Sequence, residues 1–299
     1  MSDYSIVRGA GGRPWVTRDG CPLEWVGKSP RNGFLYDRVS SAASALDTKE
    51  NLSPYHQAQA VLGVVTEPLP SLVWQFRALA SEHRDPWSGA KAEVKELLRA
   101  ARKLGGEDAK AGIGTAVHRF TMLVDQGVVP EFSVPELAPW LDCYSQAMAR
   151  FEVLEQERFI VTDDVDGGDA DLRVAGSYDR LVRDRVTGEV MIADVKTGRS
   201  DPDFAMSVTV QVAMYAHGVH YDQQSGRREP IHPEVSRSAG LLIHLPVNGD
   251  GPPRCTVYRL DVGAGWELAK VARMVADARS MKATAKDVVV SAESGGSGG

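Results

Sequence analysis

A hairpin pattern in the middle of the chain constrains its fold more than any other feature. Residues 171–198 read DLRVAGSYDRLVRDRVTGEVMIADVKTG, with apolar side chains alternating in both halves and a turn-like RVTG between them. This pattern predicts two antiparallel strands joined by a tight turn. Because successive side chains of a strand point to opposite faces, Asp194 and Lys196 share one face. The sheet therefore includes an apolar strand that carries an acid and a lysine side by side.

The segments around the hairpin alternate in a definite order. Helical signals come first, from Asp37 to about Arg102, from near Gly114, and from roughly Pro135 to Glu152, and EQERFIVTDD then predicts a first strand. After the hairpin come a helix from about Asp203 to Tyr221, the strands AGLLIHLPV and TVYRLDV, and a helix from about Trp266 to Met281. Helices followed by the order β-β-β-α-β-β-α predict an α/β fold, a mixed β-sheet flanked by helices with an N-terminal helical region.

Composition places the chain among ordinary globular proteins. It has 299 residues, of which 43% are hydrophobic and 25% charged, enough length and apolar content for one large domain or two small ones. The three cysteines, Cys21, Cys143 and Cys255, form no CxxC pair, which argues against a zinc knuckle or a four-cysteine iron–sulfur cluster. The first residues contain no apolar signal region and no run has membrane-spanning length, so we expect a cytoplasmic protein.

The charge distribution is more informative than the net charge of −6. Residues 88–119 contain seven basic and four acidic side chains and so carry +3. Such a run is usually the solvated face of a helix. It can also attract a nucleic-acid backbone without reading sequence.

The acid–x–lysine spacing gains meaning only from its context. It occurs four times, but only Asp194 and Lys196 lie in an apolar strand. Asp179, in GSYDR, lies fifteen residues before Asp194, and an antiparallel hairpin of that length can bring the two carboxylates side by side. Two buried carboxylates repel unless a cation lies between them, and Mg²⁺ or Mn²⁺ with oxygen ligands suits such a site. The alternatives are an Asp194–Lys196 ion pair, and Asp179 paired with Arg180 or Arg183 at the surface.

Other polar residues are weaker candidates when taken alone. Gln211 and Tyr215 are four residues apart and share one face of a predicted helix, as any amphipathic pair does. His118 lies near the predicted start of a helix behind the basic segment, where a lone histidine is more often structural than a ligand. His217 and His220 have no carboxylate motif beside them and are interpreted as surface residues.

Taken together, GTAVH, EQER, GSYDR, IADVKTG and QVAMY, in this order, resemble the RecB-type branch of the PD-(D/E)xK nucleases over about residues 112–216. The resemblance implies a restriction-endonuclease-like core in which Asp179, Asp194 and Lys196 are catalytic. It further implies that His118, Asp179, Asp194 and the carbonyl of Val195 hold the metal, with Glu157 as an additional acidic candidate, and that Gln211 and Tyr215 contact DNA. Several relatives carry a four-cysteine iron–sulfur cluster, which this chain cannot bind through four thiolates.

These observations lead to one interpretation and one rival. We expect an N-terminal arm and helical region at residues 1–110 packed on the core, a nuclease core at 111–285, and a flexible tail at 286–299. The expected function is Mg²⁺- or Mn²⁺-dependent exonuclease action on linear DNA in recombination, repair or phage DNA processing, in a bacterial or phage-infected cell. Candidate protein partners are a recombinase, a single-strand-binding protein or a helicase. The rival is a catalytically inactive nucleic-acid-binding or scaffold protein with the same fold.

Overall fold

The computed structural model describes residues 6–47, 52–67, 71–128, 135–165, 172–198, 206–247 and 251–281, with backbone only at residues 52 and 108–111. The predicted flexible tail lies outside the described residues, and so does the predicted helix start at Asp203.

Residues 6–38, which we call the N-terminal arm, contain five two-residue strands that the aperiodic sequence did not predict. They are β1 (Trp15–Val16), β2 (Trp25–Val26), β3 (Ser29–Pro30), β4 (Phe34–Leu35) and β5 (Asp37–Arg38). β1 pairs with β4 and β2 with β3, both antiparallel. The arm is therefore folded into two short antiparallel strand pairs and one strand that joins the main sheet.

Seven helices follow the arm along the chain in the described residues. They are α1 (Val39–Ala43), α2 (Leu52–Thr66), α3 (Ser71–Glu82), α4 (Pro86–Gly89), α5 (Lys91–Leu104), α6 (Glu107–Asp125) and α7 (Ala138–Met148). α5 ends at Leu104 with Gly105 as its C-cap residue, close to the predicted end near Arg102. α6 begins at Glu107 rather than near Gly114, so His118 lies inside this helix. None of the described helices has the length and apolar character needed to cross a bilayer.

A mixed sheet with helices on both faces forms the rest of the described chain, which confirms the predicted fold class. Its elements are β6 (Phe151–Thr162), β7 (Val174–Asp184), β8 (Val190–Lys196), α8 (Met206–Ala216), β9 (Val219–Tyr221), β10 (Arg228–Pro230), β11 (Ala239–His244), β12 (Thr256–Asp261) and α9 (Val262–Ser280). The strand order is β10-β9-β6-β7-β8-β11-β12, with β5 added on β7. The predicted hairpin is β7–β8, which pair antiparallel, whereas β8 and β11 pair parallel across the α8 connection.

Two strands share one edge of β7 and leave a gap between them. β8 pairs with β7 from Arg180 to Arg183. Farther toward the start of β7, β5 pairs in parallel with Val174 and Ala175. The stretch of β7 from residue 176 to 179 lies between these two pairings, and it contains Asp179.

The segment after α8 differs from the prediction. The helix was expected to continue to Tyr221, but it ends at Ala216, and Val219–Tyr221 forms β9 against β6. Gly218 explains the change, because a Cβ atom there would lie 2.8 Å from the Val161 carbonyl oxygen. In addition, the Thr162 hydroxyl donates to the Met214 carbonyl at 2.7 Å. Contacts with residues more than fifty positions away therefore end this helix.

The prediction that the two histidines near the end of α8 are surface residues is wrong. His220 is buried, and its ring lies 2.8 Å from the Tyr178 hydroxyl and 3.2 Å from the Glu155 carboxylate. His217 is half-buried and stacks on Trp266 with the ring centroids 4.1 Å apart. Strand pairing of β9 explains the burial of His220, because it carries this residue into the sheet.

Apolar clusters lie on both faces of the sheet. On the α8 face, a cluster that includes Tyr178, Leu181 and Ile192 packs against α1, α8 and α9. On the α6 face, a second cluster that includes Val182 and Val195 packs against α6 and α7. A third cluster packs the arm against β6, β7 and β9, and its buried members are Val16, Tyr36, Phe159, Val161, Ala175 and Tyr221.

A buried ion pair joins β7 to α6. Arg180, whose side chain has no exposed surface, places Nε 2.7 Å from Oδ2 of Asp125, which is 3% exposed. Arg180 also donates to the Thr121 hydroxyl at 2.8 Å. Asp125 accepts further hydrogen bonds from Tyr144 of α7 and Gln156 of β6. Two helices and two strands are thus tied together at one carboxylate.

The boundary between the N-terminal region and the nuclease core, placed between residues 110 and 111, stays a proposal. It falls inside α6, a continuous helix from Glu107 to Asp125. The arm, for its part, contributes β5 to the central sheet.

We predict that Asp125→Asn lowers the free energy of unfolding by about 3–5 kcal/mol, because it leaves the buried Arg180 charge without its counterion. Urea unfolding measures this change. The matched control is Glu96→Gln, which breaks an exposed pair with Arg99 on α5 and should change stability by less than about 1 kcal/mol. Equal effects of the two substitutions would contradict the structural role of the buried pair.

Candidate active site

The two hairpin aspartates meet where β7 and β8 part. The last paired residues are Arg180 and Ala193, so the same register places Asp179 opposite Asp194. The Val195 amide lies beyond the last residue of β8 that pairs with β7, and it donates to Oδ2 of Asp179 at 2.7 Å. The hairpin register therefore places the two aspartates opposite each other where the strands separate.

Asp194 and Lys196 contact each other on the α8 face. Nζ of Lys196 lies 2.7 Å from Oδ2 of Asp194, whose side chain is 1% exposed. The lysine side chain is 41% exposed, so it extends from the buried carboxylate toward the surface. Asp194 and Lys196 thus form the ion pair that the sequence allowed, with one member open to solvent.

Gln211 of α8 connects both members of this pair. Its Nε2 donates to Oδ1 of Asp194 at 2.8 Å, and its Oε1 accepts from Lys196 Nζ at 3.5 Å. The same Nε2 lies 3.4 Å from the Tyr215 hydroxyl, which is one helical turn farther along α8. Tyr215 is only 4% exposed. Of the predicted helix-face pair, Gln211 contacts Asp194 and Lys196, and Tyr215 contacts Gln211.

His118, Glu157 and Asp179 form a separate group on the α6 side. One potential ligand atom from each lies within 4.8 Å of the other two. Nε2 of His118 is 3.1 Å from Oδ2 of Asp179, and its Nδ1 is 3.6 Å from Oε1 of Glu157. A histidine from α6 and an acid from β6 thus join the hairpin aspartate.

The backbone is irregular at this point of the sheet. Gln156 pairs with Arg180 and Arg158 with Tyr178, so Glu157 lies opposite Asp179. Glu157 has φ = 50°, and it is the one residue other than glycine with positive φ in the described residues. A left-handed conformation at a non-glycine residue costs about 1–2 kcal/mol, and such strain clusters at functional sites.

The strand alternation of β7 also breaks beside the site. Tyr178 and Leu181 both belong to the cluster on the α8 face, although they are three residues apart. Between them, Asp179 and Arg180 both contact α6, through His118 and Asp125. Irregular strands next to active sites redirect side chains in this way. Here the irregularity brings an acid and an arginine to the same helix.

Burial and mutual repulsion perturb the acids. Burial, followed by the charge of Asp179, raises the pKa of Asp194 to about 6. The same two causes raise the pKa of Glu157. Burial acts in the same direction on Asp179, but the hydrogen bond and charge of His118 outweigh it, so the pKa of Asp179 is lowered. Acids whose pKa values are perturbed by burial and by one another are typical of a cation site.

The basic groups respond to the same acids. The hydrogen bond to Asp179 raises the pKa of His118. Burial lowers the pKa of Lys196, but the Asp194 carboxylate outweighs burial and leaves the pKa above its ordinary value.

The donor set fits a hard divalent cation. Carboxylate oxygens, which Asp179 and Glu157 offer, are ligands that Mg²⁺ and Mn²⁺ prefer, and the imidazole nitrogen of His118 is compatible with Mn²⁺. Asp194 is a carboxylate of the same kind but is not part of this group. Asp179 uses Oδ2 for both His118 and Val195, and Oδ1 has no hydrogen bond or ion pair in the described part of the chain. One oxygen of Asp179 thus remains for a ligand.

The sequence did not predict the buried ion pair of Arg180 and Asp125, which lies next to this site. Arg180 was considered only as a surface partner of Asp179, and that alternative is wrong, because Arg180 is buried against Asp125 while Arg183 contacts Glu152. An arginine at an inward position of an apolar strand requires a buried acid, which is a usable signal. Nothing local to Asp125 identified it as that acid.

A family model described as the PD-(D/E)XK nuclease superfamily matches residues 76–290, which is more than half of the chain and includes all of the candidate residues. No curated protein matches the chain. The match confirms the resemblance noted in the sequence at the level of the superfamily.

We predict that Glu157→Gly is more stable than Glu157→Gln by about 1 kcal/mol, because glycine relieves the left-handed backbone that glutamine keeps. Both variants lose the carboxylate, so the difference between their free energies of unfolding reports the backbone strain at this position. Urea unfolding in the presence of a chelator measures it. A glycine variant that is less stable than the glutamine variant would show that the backbone is unstrained here.

Proposed function

The chain belongs to the PD-(D/E)XK nuclease superfamily, and we propose that it is a metal-dependent deoxyribonuclease whose catalytic residues are Asp179, Asp194 and Lys196. The observation that carries the proposal is the meeting of Asp179 and Asp194 where β7 and β8 part, with Lys196 2.7 Å from Asp194. Nucleases of this superfamily typically use divalent metals, and their substrate is DNA.

We propose that Asp179 and Asp194 hold Mg²⁺ or Mn²⁺, together with the Val195 carbonyl and His118, and that Glu157 adds a further acidic ligand. Support comes from the grouping of His118, Glu157 and Asp179 within 4.8 Å and from the raised pKa values of Asp194 and Glu157. When bound, such an ion lowers the pKa of a coordinated water and neutralises charge on the phosphate.

In this proposal Lys196 orients the attacking water and stabilises the charge that develops at phosphorus. Its side chain is partly exposed, so its ammonium can reach a substrate in the site. Asp194 keeps that ammonium protonated, because the carboxylate raises the pKa of Lys196. A cation is therefore available at the reacting phosphate.

Gln211 fixes the relative position of Asp194 and Lys196, since one amide group contacts both. Tyr215 supports Gln211 from the next helical turn. We propose that the same pair contacts the DNA backbone. Grip through the backbone requires no reading of bases.

We further propose the RecB-type branch and exonuclease action on linear DNA, in recombination, repair or phage DNA processing. The combination of His118 with Gln211 and Tyr215 resembles end-processing nucleases. The +3 segment at residues 88–119 adds attraction that is independent of sequence. A recombinase, a single-strand-binding protein or a helicase remains the proposed kind of protein partner.

The rival function is a binding or scaffold protein that keeps the fold without catalysis. The paired acids weigh against it, because two buried carboxylates beside each other destabilise a purely structural protein. Calorimetric titration with Mn²⁺ in the absence of DNA separates the two. A scaffold protein without a metal site gives no binding heat.

We predict that Asp194→Ala abolishes both Mn²⁺ binding and DNA cleavage, whereas Lys196→Ala retains metal binding and slows cleavage by roughly 10²–10³. Calorimetry and cleavage of end-labelled DNA measure the two properties. The matched controls are Glu267→Ala and Lys270→Ala, which remove an exposed acid–lysine pair on α9. Undiminished cleavage by Asp194→Ala would exclude this site. A loss confined to DNA affinity in Lys196→Ala would make the lysine a phosphate anchor only.

We predict that the protein with Mg²⁺ or Mn²⁺ degrades linear DNA, leaves covalently closed circles intact, and stops when a chelator is added. Gel analysis of end-labelled linear and circular DNA tests this. His118→Ala should slow degradation more than it weakens DNA binding, because His118 contacts Asp179 within the acidic group. Prompt nicking of closed circles at discrete positions would overturn exonuclease action and leave the nuclease assignment in place.

A further inference from the structure

His118, Glu157 and Asp179, the α6-side part of the candidate site, lie between two packed regions on one face of the sheet, and we call the space between those regions the cleft. On one side, α6 and α7 cover Val182 and Val195. On the other side, the N-terminal arm covers Phe159, Val161 and Ala175. Asp179 lies between these regions along β7, and His118 projects toward it from α6. The arm therefore forms the second wall of the cleft.

β5 brings the end of the arm close to the acids. Arg38 pairs in register with Ala175, four residues before Asp179 on β7. At about 3.3 Å per residue, this separation is about 13 Å along the strand. The next residue, Val39, begins α1, and its Cβ lies 3.4 Å from where a side chain on Gly176 would start. The Tyr215 hydroxyl lies 3.2 Å from the same point.

Strand alternation points Arg38 to the face on which the cleft opens. Tyr36 is buried in the arm cluster on that face, whereas Asp37 contacts Arg273 of α9 on the opposite face. Arg38, two residues after Tyr36, therefore projects on the same face as Tyr36. Ala175 belongs to the arm cluster as well, which fixes the orientation of β7 at this level.

Arg38 differs from two other arginines of the arm. Arg13 forms an ion pair with Asp37, and Arg18 forms one with Asp164. Arg38 is exposed and forms no ion pair within the part of the chain that the structure describes. Its guanidinium can therefore bind an anion without first breaking a contact.

We propose that Arg38 is a substrate-contacting residue that binds a backbone phosphate of the DNA strand to be cleaved. The proposal rests on the nuclease function proposed above. The site contains three acids, so a polyanionic strand gains attraction from a further cation beside the cleft. One strand of duplex DNA rises about 3.4 Å per nucleotide, so Arg38 contacts a phosphate about two to four nucleotides from the cleaved bond.

The test compares Arg38→Ala with Arg185→Ala. Arg185 is also exposed but lies in the turn at the far end of β7, before β8 begins. Binding of a fluorescent DNA oligonucleotide is measured by anisotropy in the presence of EDTA, from about 50 to about 200 mM salt. We expect Arg38→Ala to bind roughly tenfold more weakly and to lower the slope of log affinity against log salt by about one. Arg185→Ala should match the wild type.

Arg38→Lys and a metal titration complete the experiment. The lysine variant keeps the charge, so it should recover most of the salt slope while losing the forked geometry of arginine. Mn²⁺ affinity and melting temperature should be unchanged in all three variants, since Arg38 is exposed and is not a metal ligand. Wild-type affinity and slope in Arg38→Ala, alongside a wild type that binds and cleaves DNA, would overturn the role of Arg38 alone. A wild type that neither binds nor cleaves DNA would overturn the nuclease proposal as well.

Discussion

The buried pair of Arg180 and Asp125 is the contact on which the site geometry depends. Arg180 follows Asp179 directly, and Asp125 lies seven residues, about two helical turns, after His118 in α6. Holding Arg180 against Asp125 at 2.7 Å therefore sets how α6 lies across β7. The 3.1 Å contact between His118 and Asp179 follows from that placement. A residue pair with no reactive group in the cleft thus positions two groups that lie in it.

The acids of the site destabilise the protein that carries them. Burial and mutual repulsion raise the pKa values of Asp194 and Glu157, and Glu157 also has a left-handed backbone. Lys196 and His118 offset part of this repulsion by contacting Asp194 and Asp179. A site that is strained without its ligand and relieved by a cation is a common feature of functional centres. The surrounding sheet, with apolar clusters on both faces, supplies the stability that the site lacks.

Features of the fold set by local patterns could be predicted from the sequence, and those set by distant contacts could not. Alternation and the RVTG turn predicted the hairpin, and the hairpin register brought Asp179 to Asp194. The predicted end of α8 was wrong because the local sequence does not show that Gly218 packs closely on β6. His220 was misassigned to the surface for the same reason. Asp125 could not be identified as the partner of Arg180, since fifty-five positions separate them.

Asp179 has both a structural role in the sheet and a proposed role as a metal ligand. Where β8 parts from β7, the Val195 amide would lose its partner in the strand ladder, and an unpaired buried amide costs about 1–3 kcal/mol. Oδ2 of Asp179 accepts that hydrogen bond at 2.7 Å, so the carboxylate completes the sheet at the point where the sheet opens. Oδ1 of the same carboxylate forms no hydrogen bond or ion pair in the described part of the chain. One oxygen of Asp179 thus stabilises the separation of the strands, and the other oxygen remains available as a ligand.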